Sequence, residues 1–229
     1  MRYPKERIAM LFRYGYLFNG ERVCPDIAVD NFDNHLKVYE FAKQFCVNKR
    51  VLDIGCGTGY GSAKLAEAAA EVVGIDISRM ALRFARKRYR DSGALFIHMN
   101  AERLQFPDHS FDFIVSTENF EHLRNQPESA REMRRVLKAD GLCLLATPNP
   151  EAFQNCPPNP HHTHEYTFTE LVSLLSPLFA DVLIFENQLS SRKDRGVIGK
   201  DTAHVFGRTI STQHLSNTHS FFCFLARPR

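Results

Sequence analysis

The chain has 229 residues, 44% hydrophobic and 24% charged, with 29 basic and 26 acidic residues for a net charge of +3. That balance belongs to an ordinary globular domain and excludes wholesale disorder, collagen-like repeats and a heptad rod. So small a net charge gives no strong field toward nucleic acid or anionic lipid. No run approaches the ~18 apolar residues of a membrane span. The opening MRYPKERIAMLFRYGYLF lacks the unbroken apolar stretch of a secretory leader, so a cytoplasmic location is expected. Six cysteines with no Cys-x-x-Cys pair read as free thiols, neither a disulfide framework nor a zinc site.

The first ~33 residues show no βα pattern, and a helix is expected from about Asn34 to Phe45. Val51 to Ile54 is a short apolar run stopped by Gly55, which suits a buried strand. Gly61 to Ala70 reads as a helix, and Glu71 to Asp76 as a second buried strand ending in an acid. Ser78 to Arg90 is a helix capped by Ser78 or Asp76, with Arg79, Arg83, Arg86, Lys87 and Arg90 on one face. That stripe reads as the solvated side of a helix covering the sheet, because no aromatic platform for nucleic acid accompanies it. Leu95 to His98 and Phe111 to Val115 are the third and fourth strands. Pro127 to Lys138 is helical, and Leu142 to Ala146 is a fifth strand.

Pro150 to Pro160 holds four prolines and reads as a loop. A helix capped by Thr169 is expected to run to Leu178, followed by strands at Asp181 to Phe185 and Phe221 to Ala226. The polar stretch from Ser190 to Ser220 has little periodicity, so it is a lid, an oligomer contact or a hidden element. Strands alternating with helices of this length predict an α/β three-layer sandwich with a seven-stranded, mostly parallel sheet. A single domain spans 1–229, with a helical extension at 1–48, a core at 49–189, and the long connection with a last strand at 190–229.

Where the first strand becomes the first core helix, the chain reads Gly55-Cys56-Gly57-Thr58-Gly59-Tyr60-Gly61. Glycines there let backbone approach a ligand and expose amides at a helix start. In such sheets the crevice at that end of the strands binds nucleotides. Position 60 is Tyr where a dinucleotide loop has its third glycine, and Asp53 stands just before the loop. A carboxylate there repels a pyrophosphate but suits a ligand carrying ammonium and sulfonium groups. Asp76 is placed to accept hydrogen bonds from a ribose diol. A nicotinamide-dependent oxidoreductase, the alternative from another class, is disfavoured on both counts.

At these residues the chain resembles the class I S-adenosylmethionine-dependent methyltransferases of Rossmann-like fold, in their type 11 branch. VLDIGCGTGYGS is similar to their first motif and VVGIDIS to their acidic second motif, and two further stretches follow in order through REMRRVLKADGLCLLATPNP. The resemblance implies S-adenosylmethionine as donor and S-adenosylhomocysteine as product. It implies that Asp53, Gly55, Cys56 and Gly57 line the methionine end, with Thr117 beside it. Asp76 would hold the ribose and Ile77 flank the adenine. Asn100-Ala101-Glu102 falls where the family often has Asp-Ala, and Asn100 in place of the acid can still accept a hydrogen bond.

An oxygen or nitrogen acceptor must lose a proton, which calls for a base or a metal. Glu118, Glu121 and His122 follow the fourth strand, where the acceptor should sit, and His122 with Glu118 are the candidate catalytic residues. This E-x-x-E-H arrangement is similar to metal motifs of small-RNA 2′-O-ribose and some quinone-pathway methyltransferases. A divalent metal on Glu118, Glu121 and His122 is therefore the alternative to unassisted base catalysis. The run His161-His162-Thr163-His164-Glu165 reads as a wall of the acceptor pocket. Gly20 to Val23 and the helix from His35 resemble bacterial methyltransferases of surface-glycan synthesis. The expected reaction is methyl transfer to an oxygen of a small molecule, sugar or glycan. RNA or protein as acceptor is the alternative, disfavoured by the near-neutral charge. Homo-oligomerisation stays open.

Overall fold

The computed structural model describes residues 32–150, 157–187, 204–205 and 221–228. Helix α1 (Phe32–Lys43) leads into strand β1 (Arg50–Ile54), helix α2 (Tyr60–Leu65), strand β2 (Glu71–Asp76), helix α3 (Arg79–Arg88) and strand β3 (Leu95–His98). Strand β4 (Phe111–Thr117) is followed by a 3-10 turn at Phe120–His122, helix α4 (Gln126–Val136) and strand β5 (Leu137–Pro148). Helix α5 (Phe168–Leu175), β6 (Phe179–Asn187), β7 (His204–Val205) and β8 (Phe221–Pro228) complete the described elements.

The strands form one sheet in the order β3-β2-β1-β4-β5-β8-β6-β7. The first five are parallel neighbours, while β8 runs antiparallel to both β5 and β6, and β7 antiparallel to β6. The expectation of seven strands is thereby corrected: five make up the parallel main sheet, and three more extend its β5 edge. The added strand, β7, lies inside the stretch from Ser190 to Ser220 that periodicity leaves unstructured. A two-residue ladder is too short to print an alternation, so only its partner in β6 reveals it.

Alternation along the strands sorts the core into two layers. Leu52 and Ile54 of β1 face a cluster with Ala130, Met133 and Val136 of α4 and Leu171 and Leu175 of α5. Val51 of β1 faces the other side, with Val38, Tyr39 and Ala42 of α1 and Leu65 of α2. On that same side Leu82 and Ala85 of α3 cover Phe96 of β3. Helices therefore flank the sheet on both faces, as expected. The basic face of α3 is exposed, and one of its members, Arg86, turns its guanidinium to the Phe96 carbonyl (2.9 and 2.6 Å).

The helix boundaries differ from expectation by a few residues: α3 ends at Arg88, α4 spans Gln126–Val136 because β5 begins at Leu137, and α5 ends at Leu175. The last helix begins at Phe168, and its cap is Thr167, not Thr169. Glu170, three residues on, accepts from the Thr167 amide at 2.9 Å while Thr167 Oγ1 accepts from the Glu170 amide, a reciprocal capping box. Helix α2 stops at Leu65, because the Ala-rich turn after it docks on the start of β1, with the Ala70 amide donating to the Lys49 carbonyl (2.9 Å). Helix α1 starts at Phe32 and ends at Lys43, two residues ahead of expectation at each end. Among the described residues no helix is long and apolar enough to cross a membrane. The segment 1–31, with Gly20 to Val23, and most of 188–220 lie outside the described residues.

Candidate active site

Strand order reverses between β2 and β4 on either side of β1, so a crevice opens at the carboxyl ends of β1 and β4. Register places Asp53 opposite Val115 and Ile54 opposite Ser116, bringing the glycine loop and Thr117 to that crevice. The loop is stitched to β2, since the Gly55 and Cys56 amides both donate to the Ile75 carbonyl at 2.9 Å. Gly55 has φ +74°, and a side chain there would strike Asn119 within 2.3 Å. Gly57 has φ +53° with nothing within 4 Å of where a Cβ would point. Left-handed backbone facing open space is what a loop needs to let a ligand approach its amides.

Asp76 fixes this loop from the end of β2. Its Oδ2 accepts from the Gly57 amide (2.9 Å) and its Oδ1 from the Ser78 amide (2.7 Å). Ile77 beside it is exposed, as an adenine-flanking residue would be. The Met99 amide donates to the Asp76 carbonyl (3.2 Å), which brings Asn100 and buried Ala101 alongside. Asn100 Oδ1 accepts from the Glu102 amide at 2.9 Å, closing a tight turn. Glu102 is turned away from this end: its Oε1 accepts from the amides of Arg124 and Asn125 (2.7 and 2.9 Å), so its carboxylate ties down the start of α4. Cys56 is buried against Gly74, leaving its backbone as the part that can meet a ligand.

Asp53 has no solvent exposure. Its Oδ1 accepts from Tyr39 Oη (3.1 Å) and its Oδ2 from Ser62 Oγ (2.6 Å). Burial pushes its pKa up to about 6, opposed by the Ser62 and Tyr39 hydrogen bonds and assisted by the nearby Asp76 charge. Thr117, nearly buried, donates from Oγ1 to the Tyr39 oxygen at 3.0 Å. Tyr39 is the member of this end that lies outside the quoted motifs.

Across the crevice, Glu118 sits at φ +48° with its amide bonded to the Ala146 carbonyl (3.0 Å); the Tyr60 phenol is pushed up by burial first, then by the charges of Asp53 and Glu118. Glu121 is buried, and its Oε2 accepts from Thr147 Oγ1 (3.1 Å). His122 Nδ1 lies 3.0 Å from the His161 carbonyl, which can only accept, so Nδ1 carries the proton and Nε2 the lone pair. That Nε2 is 3.7 Å from Glu121 Oε1. His162 crosses His122 edge to face at 4.7 Å, with its Nδ1 on the Glu165 carboxylate. The 161–165 segment is laced to the 3-10 turn: the Thr163 amide donates to the Glu121 carbonyl (2.7 Å), and Gln126 bridges the Phe120 and His164 carbonyls (2.9 and 2.8 Å). Among the described residues the group able to share a cation is Glu121, His122 and His162, whose ligand atoms lie within 4.8 Å of one another. His162, and not Glu118, is the third member of that group.

Residues 52–145 match the methyltransferase domain family. A probable S-adenosylmethionine-dependent methyltransferase of Mycobacterium tuberculosis is 37% identical over 161 residues, 68% of this chain and 58% of that one. One of Mycolicibacterium smegmatis is 34% identical over 190 residues, 81% of this chain and 72% of that one. The chain thus spans little more than half the length of some curated relatives it matches. More distant relatives carry the names fatty-acid O-methyltransferase and ubiquinone/menaquinone biosynthesis C-methyltransferase. Among solved structures, a Pyrococcus horikoshii protein superposes with a TM-score of 0.66 over 95% of this chain and 99% of that one, at 18% identity.

Proposed function

The chain belongs to the S-adenosylmethionine-dependent methyltransferases, and from that premise we propose that it methylates an oxygen of a small-molecule or sugar acceptor, with His122 as the base. When bound, the donor supplies a methyl on a sulfonium that an in-line nucleophile displaces. The chain supplies alignment and proton removal. Asp53, the Gly55–Gly57 backbone and Thr117 hold the methionine end, and Asp76 accepts from the ribose. Ile77 and the turn at Asn100–Ala101 flank the base.

The observation that carries the acceptor side is the tautomer of His122. Its Nδ1–H is committed to the His161 carbonyl, so Nε2 accepts a proton, and the imidazolium formed faces buried Glu121. Glu121 Oε1, 3.7 Å from that Nε2, stands where the positive charge develops. Glu118, beside the glycine loop, borders both substrates. The relatives' names include both oxygen and carbon methylation, and a paired base at the crevice suits a hydroxyl acceptor, which must lose its proton.

A second reading has its own observation. His162 Nδ1 lies on the Glu165 carboxylate, and its Nε2 accepts from Asn159 Nδ2 at 3.0 Å, so Nε2 could ligate an ion only if the Asn159 amide gave way to it. Glu121 and two such imidazoles fit Mn²⁺ or Zn²⁺ better than Mg²⁺, and both rings have the outer hydrogen bonds typical of metal-bound histidines. An ion there would act as a Lewis acid on the acceptor oxygen. Methyl transfer from labelled S-adenosylmethionine to hydroxyl- and carboxyl-bearing acceptors tests the function. A chelator separates the readings: under base catalysis turnover survives it and His162→Ala costs at most about tenfold. Loss of turnover restored by Mn²⁺ or Zn²⁺ would replace that reading with the metal-assisted one.

A further inference from the structure

We infer that Tyr39 is a positioning residue of the donor site: from a helix outside the βα repeat, its phenol aims the Asp53 carboxylate and holds it as an anion for the cationic methionine end of the donor. The inference rests on the donor-site reading above and extends it to a residue beyond the glycine loop.

A carboxylate stripped of water takes up a proton unless other donors replace the water. Asp53 is fully buried and has two such donors, Ser62 Oγ at 2.6 Å and Tyr39 Oη at 3.1 Å. A phenol has one proton to give. Thr117 decides where it goes, because its own hydroxyl donates to the Tyr39 oxygen at 3.0 Å and leaves the phenol proton to Asp53. The ring is seated tightly for this. It lies over Gly61, where a Cβ would fall 2.0 Å from the ring's Cζ, and meets the Tyr60 ring edge to face at 5.6 Å. Thr117, Tyr39, Asp53 and Ser62 thus form one buried chain linking β4, α1, β1 and α2.

The groups facing Asp53 are Tyr39 from α1, Cys46 just past it, Cys56 and Tyr60 from the loop, Ser62 from α2 and Asp76 from the end of β2. None of these is a cation, and Asp76 repels. The anion is held by hydroxyls alone, with a pKa raised to about 6, and the positive charge that complements it is the donor's. The sign follows. Affinity for a ligand with the ammonium end is full above about pH 6 and falls as acid protonates Asp53. Without the Tyr39 hydroxyl the carboxylate protonates more readily, so that midpoint moves up, by about one to two pH units for one hydrogen bond to a charged group.

Calorimetric titration from about pH 5 to about pH 8.5 tests this with two probes. S-adenosylhomocysteine carries the amino-acid end; 5′-methylthioadenosine keeps the nucleoside and lacks it. For Tyr39→Phe the expected result is a midpoint displaced upward for the first probe, with affinity about two- to tenfold weaker near pH 7 and recovering in alkali. The second probe should bind both proteins equally at every pH. A loss that is the same at all pH values, or a midpoint that does not move, overturns the inference and leaves Tyr39 as packing. Failure of the natural chain to bind either probe overturns the donor site itself, an outcome visible without any variant. Should Tyr39→Phe fail to fold, Thr117→Val serves: it keeps the ring and must move the midpoint the same way by a smaller amount, and an unmoved midpoint overturns the inference.

Discussion

Replacing His122 by Ala is expected to lower kcat by about 10²- to 10⁴-fold while leaving donor affinity unchanged, the range for removing a positioned general base. His122 stands in the 3-10 turn past the end of β4, bonded to the His161 carbonyl and 3.7 Å from Glu121. Its bond to the His161 carbonyl and its approach to Glu121 fix the ring, so a shorter side chain removes the proton acceptor without disturbing the donor end. Single-turnover kinetics alongside S-adenosylhomocysteine titration measures both quantities. If turnover survives intact, His122 is a wall of the acceptor pocket and the base lies elsewhere. An equal loss in both quantities would instead place His122 at the donor.

Asp76→Ala should weaken S-adenosylhomocysteine binding by about 10²-fold or more. One carboxylate does two things there. It accepts from the Gly57 amide, which shapes the loop, and from the amide of Ser78, the cap of α3, and its position at the end of β2 faces a ribose diol. Hydrogen bonds to a charged group contribute about 1.5–3 kcal/mol each, and two lost together reach that factor. Asp76→Asn keeps an acceptor oxygen and should recover part of the loss. An unchanged dissociation constant in Asp76→Ala would detach β2 from the donor site altogether.

The sequence makes the nucleoside end legible because its determinants are local. Asp53, Gly55 and Gly57 lie within five residues, and the apolar runs at 51–54 and 71–76 announce the strands that carry them. Other parts of the site, at the donor's methionine end and at the acceptor end, depend on contacts distant in sequence. Tyr39 meets Asp53 across 14 residues and Thr117 across 78, and nothing in the pattern of a helix outside the repeat marks one tyrosine for that role. In His161-His162-Thr163-His164, which ring turns toward Glu121 is decided by backbone bonds to the 3-10 turn rather than by helical spacing, so His162 could not be singled out. Glu102 resembles a ligand-binding acid by position and is a structural clasp by geometry, since two amides of the following turn claim its carboxylate. The cap of α5 is a plainer case: Thr167 and Thr169 both offer a hydroxyl, and only the glutamate three residues beyond Thr167 decides between them.

The central claim is that this crevice holds a nucleoside with a cationic amino-acid tail and not a dinucleotide. Thermal unfolding with excess S-adenosylhomocysteine, with excess NADH, and with neither tests it directly. A ligand at about 100 times its dissociation constant stabilises by about 2.7 kcal/mol, a rise of roughly 5–11 °C in Tm for a domain of this size. The account predicts that rise with S-adenosylhomocysteine and none with NADH, whose pyrophosphate would meet the buried Asp53 charge. A rise with NADH alone would contradict it, and the assigned roles of Asp53, Asp76 and Tyr39 would fall together.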